Sequence, residues 1–146
     1  MNYRNWLVDD LKDLNRMRFS IPQMKSELVT LDAEFTAIKA TDYDKIPGGA
    51  GGNVQEEKLL SVLARKEELE KNLEATQRHV LDLDRLLNAL SDEERRVIDR
   101  MFVNRERYAQ ERLSEELGYE SAQIYRVKNR ALLHMAQMRF GKGYQP

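Results

Sequence analysis

Gln123, Arg126 and Asn129 carry forked polar groups and recur at three-residue intervals along one short segment. Side chains of this kind hydrogen-bond two atoms at once, matching the paired donors and acceptors on the major-groove edges of adenine and guanine. Tyr125, set between them, can pack on a thymine methyl or reach a phosphate. Lys128 and Arg130, with Arg105 and Arg107 further upstream, suit phosphate contacts that set register without reading sequence. From Ser121 to the end there are five basic residues, Arg126, Lys128, Arg130, Arg139 and Lys142, and no acid. The alternative for Tyr125 is packing against its own domain. For Arg126 and Arg130 it is an ion pair with Glu116 or Glu120, worth under about 1 kcal/mol when exposed.

The elements that must position these residues follow from hydrophobic spacing. Leu113 and Leu117 lie one helical turn apart, with small Ser114 between them, where a second helix could cross closely. Gly118 stands where a chain leaving a helix often needs a left-handed residue. Ile124 then opens an apolar stripe through Val127, Ala131, Met135 and Met138. A short helix (108–117), a glycine turn and a longer helix (121–140) form the unit that lays its second helix in the major groove. On that helix Ala122, Gln123, Tyr125, Arg126, Asn129 and Arg130 face away from the stripe. Tyr108 and Tyr119 read as core or staple residues, and Met101, Met135 and Met138 as core filler.

Upstream, Ser91-Asp92-Glu93-Glu94 is a capping box, with Ser91 and Glu94 satisfying each other's backbone amides. It predicts a helix to about Val103 that buries Val97, Ile98, Met101 and Phe102, and it marks a domain boundary after Leu90. Before it, residues 3–18 form a helix with Leu7, Leu11, Leu14 and Met17 on one side. Ser20-Ile21-Pro22 reads as a stop and restart, because proline fits the first turn of a helix. The next helix runs to about Ala40 with Met24, Leu28, Leu31, Phe35 and Ile38 along its seam. Residues 41–53 hold one proline and four glycines and read as a flexible connection. They lack the lysine and flanking strand of a phosphate loop. Helix 54–90 carries Leu59, Val62, Leu69, Leu73, Thr76, Val80, Leu83, Leu87 and Leu90 at spacings of three and four, with Lys66 at one seam position. At 1.5 Å per residue it spans about 55 Å, close to the upstream helices in tandem. An antiparallel hairpin results. Trp6, Val8, Phe19 and Leu60 leave an apolar edge on it that would let two copies pair.

The expected fold is therefore all-α: a long antiparallel helical hairpin or coiled-coil arm (1–90), a three-helix helix-turn-helix domain (91–140), and a tail (141–146) expected to be disordered. The 146 residues are 34% charged, with a formal net charge of −1 and three prolines, and no alternating strand pattern stands out. The absence of cysteine excludes disulfides and thiolate metal sites. His79 and His134 lie on separate helices and read as helix-face residues. No metal, cofactor, nucleophile motif or paired carboxylates can be assembled, so enzyme activity is not expected. The N-terminus lacks the apolar core of a signal peptide and no run reaches membrane-spanning length, so an intracellular protein with no membrane partner is expected.

Leu90, Glu94-Arg95-Arg96-Val97-Ile98, Leu113-Ser114-Glu115-Glu116-Leu117-Gly118 and Ala131-Leu132 together resemble region four of bacterial sigma factors. The spacing of Gly118, Tyr119, Ser121, Ile124, Tyr125 and Arg126, with a coiled N-terminal half and the Asp44-Lys45-Ile46-Pro47-Gly48-Gly49 loop, is similar to that of small phage transcription regulators of the ArpU and RinA kind. The resemblance implies a phage or prophage regulator that binds double-stranded DNA in the cytoplasm of a bacterial host. Its arm would pair two copies into a homodimer or dock on host RNA polymerase. Carried onto this chain, the base-reading positions of the sigma pattern fall on Ser121 and Ala122. Alanine cannot hydrogen-bond a base, so Ser121 keeps the role alone and the preferred sequence must differ. Two other functions fit the same pattern: a phage packaging protein of the small terminase kind, and a helical interaction protein that does not touch DNA.

Overall fold

The computed structural model describes residues 2–43 and 52–143. Every regular element among them is helical: α1 (Tyr3–Tyr43), α2 (Gly52–Asn88), α3 (Asp92–Ile98) continuing into a π-helical turn (Asp99–Val103), α4 (Ala109–Leu117) and α5 (Ser121–Phe140). None of these helices is long and apolar enough to cross a membrane. The chain divides into two compact units, Arg18–Arg78 and the pair of segments Met1–Met17 with His79–Pro146.

Within Arg18–Arg78, α1 and α2 pair antiparallel. Gln55 Nε2 donates to the Ile38 carbonyl at 3.2 Å, and Lys66 Nζ meets Asp32 at 2.7 Å. Leu31 and Val62 are buried in the seam, with Leu28, Phe35, Leu59, Leu69 and Leu73 partly covered. Lys66, the polar interruption of that seam, finds its acid across the pair; its hydrogen bond to Asp32 raises its affinity for the proton. Phe19, Val29 and Leu60 stay exposed on this unit.

The break expected at Ser20-Ile21-Pro22 does not occur: α1 is continuous, with Pro22 inside it. Proline removes the hydrogen bond that its own amide would have donated to Arg18 and crowds that carbonyl with its ring, together a cost of about 3 kcal/mol. The apolar heptad pattern runs through the site from Leu14 to Leu28, so the helix has an apolar face to bury on either side of the proline. The glycine-rich connection is also shorter than expected, since α1 runs to Tyr43 and α2 starts at Gly52. Residues 44–51, and 144–146 of the tail, lie outside the described residues.

The second unit is built on the helix-turn-helix. Val97 of α3, Leu113 of α4, and Ile124 and Val127 of α5 form a solvent-free cluster, with Met101, Leu117 and Tyr119 against it. The Ser91 capping box is present in both directions: Glu94 N–H donates to Ser91 Oγ at 3.2 Å, and Ser91 N–H donates to Glu94 Oε1 at 3.4 Å. Ser91 is thus a helix boundary, yet the compact unit reaches beyond it to the first four turns of α1 and the end of α2. Leu7, Leu11, Leu14, Leu83, Leu87 and Leu90 are buried there. Around them Tyr3 stacks on Phe140 at 4.4 Å, Asp10 pairs with Arg139 at 2.7 Å and with His79 at 3.3 Å, and Asn15 Nδ2 donates to the Val103 carbonyl at 3.1 Å.

Two residues expected inside are outside. Tyr108 is 61% exposed because its backbone turns left-handed (φ 60°) to start α4, which swings the ring out. Met138 is 45% exposed, lying past the point where the stripe of α5 leaves the core.

Candidate nucleic-acid interface

The turn between α4 and α5 fixes how α5 is presented. Gly118 adopts the left-handed conformation expected of it (φ 70°, ψ 26°), and its amide donates to the Ser114 carbonyl. The Tyr119 amide reaches the same carbonyl at 3.1 Å, while the Ser114 hydroxyl donates to the Tyr119 carbonyl. Ser114 therefore closes the turn chemically, besides leaving room for a crossing helix. Gln110 Nε2 donates to the Ser121 carbonyl at 3.1 Å, tying the first turn of α5 to α4. Glu120 is the residue before α5 and gives it no side-chain cap.

Acids from α3 hold the other flank of α5. Glu93 takes Arg130 at 3.2 Å and accepts a hydrogen bond from the Tyr119 hydroxyl, which makes Tyr119 hold its proton more tightly than usual. Glu94 is buried, a location that disfavours its charge. Hydrogen bonds from Ser91 and His134 outweigh that burial, and its carboxyl is held below the usual glutamate range. The His134 Nδ1 contact is 2.8 Å, and Arg130 Nε lies 3.9 Å away. His134 is a helix-face residue as expected, but a partnered one.

Of the expected base readers, the structure brings Ser121, Gln123, Tyr125, Arg126 and Asn129 onto the first two and a half turns of α5. Ser121, Tyr125 and Arg126 are exposed and Gln123 and Asn129 partly so, with Tyr125 at 52%. Arg126 Nη1 donates to Gln123 Oε1 at 3.4 Å, so these two forked groups lie side by side. Asn129 is differently placed: its Oδ1 accepts from Arg4 at the start of α1. That leaves its amide NH2 as the group to offer outward.

The phosphate candidates separate into three situations. Lys128 lies along α5 with Nζ 4.2 Å from the centre of the Tyr125 ring. Arg130 is committed to Glu93 and Glu94 rather than to Glu116 or Glu120, because α3 and not the α4 turn borders that face of α5. Arg105 and Arg107 are exposed in the connection before α4, where Arg107 sits over the Tyr108 ring at 5.2 Å.

Spacing left three contributors unread. Arg4 and Asn15 reach α5 and the π-helical turn from sequence positions too distant to link by periodicity. Arg100, only 14% exposed, pairs with Glu106 at 2.8 Å and with Glu116, clamping the connection before α4. Its signal was a single cation between Ile98 and Met101-Phe102. Among the described residues, no group of three or more histidines, cysteines and carboxylates is placed to hold a metal ion.

The arrangement presents hydrogen-bonding side chains and cations together on one helix. No significant match was found among curated proteins or among solved structures. A family model does match, over residues 36–136, and this span takes in the last residues of α1, all of α2, α3 and α4, the glycine turn and α5 as far as Ala136. Since the match covers more than half of the 146 residues, the chain belongs to the family described as Protein of unknown function (DUF1492).

Proposed function

We propose that this chain is a DNA-binding transcription regulator of the phage or prophage kind, with α5 entering the major groove of double-stranded DNA. The observation that carries the reading is the outward face of α5. Ala122, Tyr125, Arg126 and Asn129 project from a helix whose other side is locked into the Val97–Leu113–Ile124–Val127 core. A helix that reads bases must be held rigidly with small or forked side chains outward, and this one meets both conditions. Its resemblance to sigma region four supports the same reading. The hairpin unit would supply oligomerisation or a polymerase contact, and exposed Phe19, Val29 and Leu60 support a surface that meets another protein.

Selection of bound duplexes from a random pool tests the reading directly. A defined motif is expected, and a palindromic one if two copies pair through the arm. On the selected site Arg126→Ala is expected to weaken binding by about 1–3 kcal/mol and to relax preference at one base pair. Recovery of no motif, with no salt-dependent affinity for any duplex, would remove DNA binding as the function.

A further inference from the structure

We propose that the start of α1 and the flank of α5 form a phosphodiester-binding site, in which Arg4 and Lys128 supply positive charge and the Asn129 amide a further donor. The inference rests on the DNA-binding reading and assigns a backbone phosphate of the bound duplex to this place.

Three observations carry it. Arg4 is brought to α5 by the packing of the first turns of α1, and it donates to Oδ1 of Asn129, the residue after Lys128, close enough for its charge to act on that lysine. Lys128 is partly buried, with its ammonium against the Tyr125 ring. Burial and the nearby charge of Arg4 both lower its hold on the proton, with Tyr125 opposing them. The third observation is the missing acid. Arg100 has Glu106 and Glu116, Arg130 has Glu93, and Arg139 has Asp10. Among the described residues neither Arg4 nor Lys128 forms an ion pair.

Two like charges held together in partly desolvated surroundings repel, and an anion between them removes the repulsion. A phosphodiester has the matching chemistry. Its two non-bridging oxygens accept from a guanidinium and an ammonium, and the Asn129 NH2 remains a donor because the oxygen of that amide is the atom Arg4 engages. Continuity decides the source of the phosphate, since Tyr125 and Asn129 belong both to this cluster and to the outward face of α5.

The test is a salt titration of the full chain against random-sequence duplex DNA, followed by fluorescence anisotropy. Each neutralised phosphate adds about 0.9 to the slope of log affinity against log salt. Arg4→Gln, which keeps an amide donor for Asn129 but no charge, is expected to lower the slope by about one and to weaken all sequences alike. Arg4→Lys is expected to keep the slope. Lys128→Gln should repeat the loss, and it carries the test if Arg4→Gln fails to fold. A wild-type slope in the glutamine variants, or equal losses in Arg4→Lys and Arg4→Gln, overturns the site. If Arg126→Ala loses sequence preference while Arg4→Gln changes nothing, the groove reading stands and the phosphate site falls. If the wild-type chain binds no duplex, both fall.

Discussion

At the scale of single residues, Glu94 joins the fold to the candidate interface. It closes the capping box with Ser91 and receives His134 from α5, so α3 starts where α5 is gripped. Ser91→Ala is expected to destabilise the chain by about 1 kcal/mol, read as a lower thermal midpoint. The charge of Glu94 has its own pH signature. Its folded carboxyl is held below the ordinary glutamate range, so the stability it adds is fully present above that range. It is lost as pH falls from about 4.3 through the lower folded value. Glu94→Gln keeps the reach of the capping box without the charge. The gap in thermal midpoint between wild type and this variant is therefore expected to be widest near neutrality and to close on acidification. A gap independent of pH would show that the carboxylate charge adds nothing. The box itself was legible, because its residues are neighbours in sequence. Its partner His134 was not, being 40 positions away and placed by packing alone.

At the scale of elements, the two left-handed residues bounding α4 have opposite merits. Gly118 takes the conformation cheaply, and the space around it is open, so no atom would collide with an added methyl. The whole cost of Gly118→Ala is then backbone strain, about 1 kcal/mol, and it falls on the turn that aims α5. Tyr108 adopts the same conformation with a bulky side chain that is largely exposed. Tyr108→Gly is expected to relieve that strain, offset in part by the entropy of glycine in the unfolded chain, leaving the thermal midpoint unchanged or slightly raised. Paired melts of the two variants check both, and a larger loss in Tyr108→Gly than in Gly118→Ala would contradict the account. Local chemistry made Gly118 and the limits of α5 readable, because each depends on a few adjacent residues. The continuity of α1 through Pro22 was unreadable for the opposite reason. A local signal for a stop lost to an apolar seam that extends over the whole helix. The π-helical turn was hidden likewise: the Asn104 amide bonds the Asp99 carbonyl at 2.7 Å, and Asn15, from α1, receives that end.

At the scale of the whole molecule, the compact unit that holds the helix-turn-helix extends beyond residues 91–140. A segment of that length buries little apolar surface and is marginal by itself, so added packing contributes a large share of its stability. Here that packing is helical: Leu7, Leu11 and Leu14 are fully buried in the unit that contains α5, accompanied by Leu83, Leu87 and Leu90. Apolar positions of α5 beyond the Ile124–Val127 cluster, Leu132, Met135 and Ala136, are buried as well. Polar contacts from Asp10 and Asn15 tie α1 to Arg139 and to the π-helical turn, which sets α1 in place beside these helices. A fragment of residues 91–140 is therefore expected to show helical signal without a cooperative thermal transition, and to bind a hydrophobic dye that the full chain excludes. Leu11→Ala in the full chain removes one buried leucine from this junction and is expected to cost about 2–5 kcal/mol. If α1 only carries the partner surface of the hairpin, both outcomes change: the fragment melts sharply, and Leu11→Ala leaves the midpoint of the α5 unit unmoved. Because Arg4 and Leu11 belong to the same stretch of α1, the expected pattern also couples stability to function. Deleting residues 2–17 should remove a phosphate contact and the packing that holds α5 rigid in one step, weakening duplex binding by more than Arg4→Gln does alone.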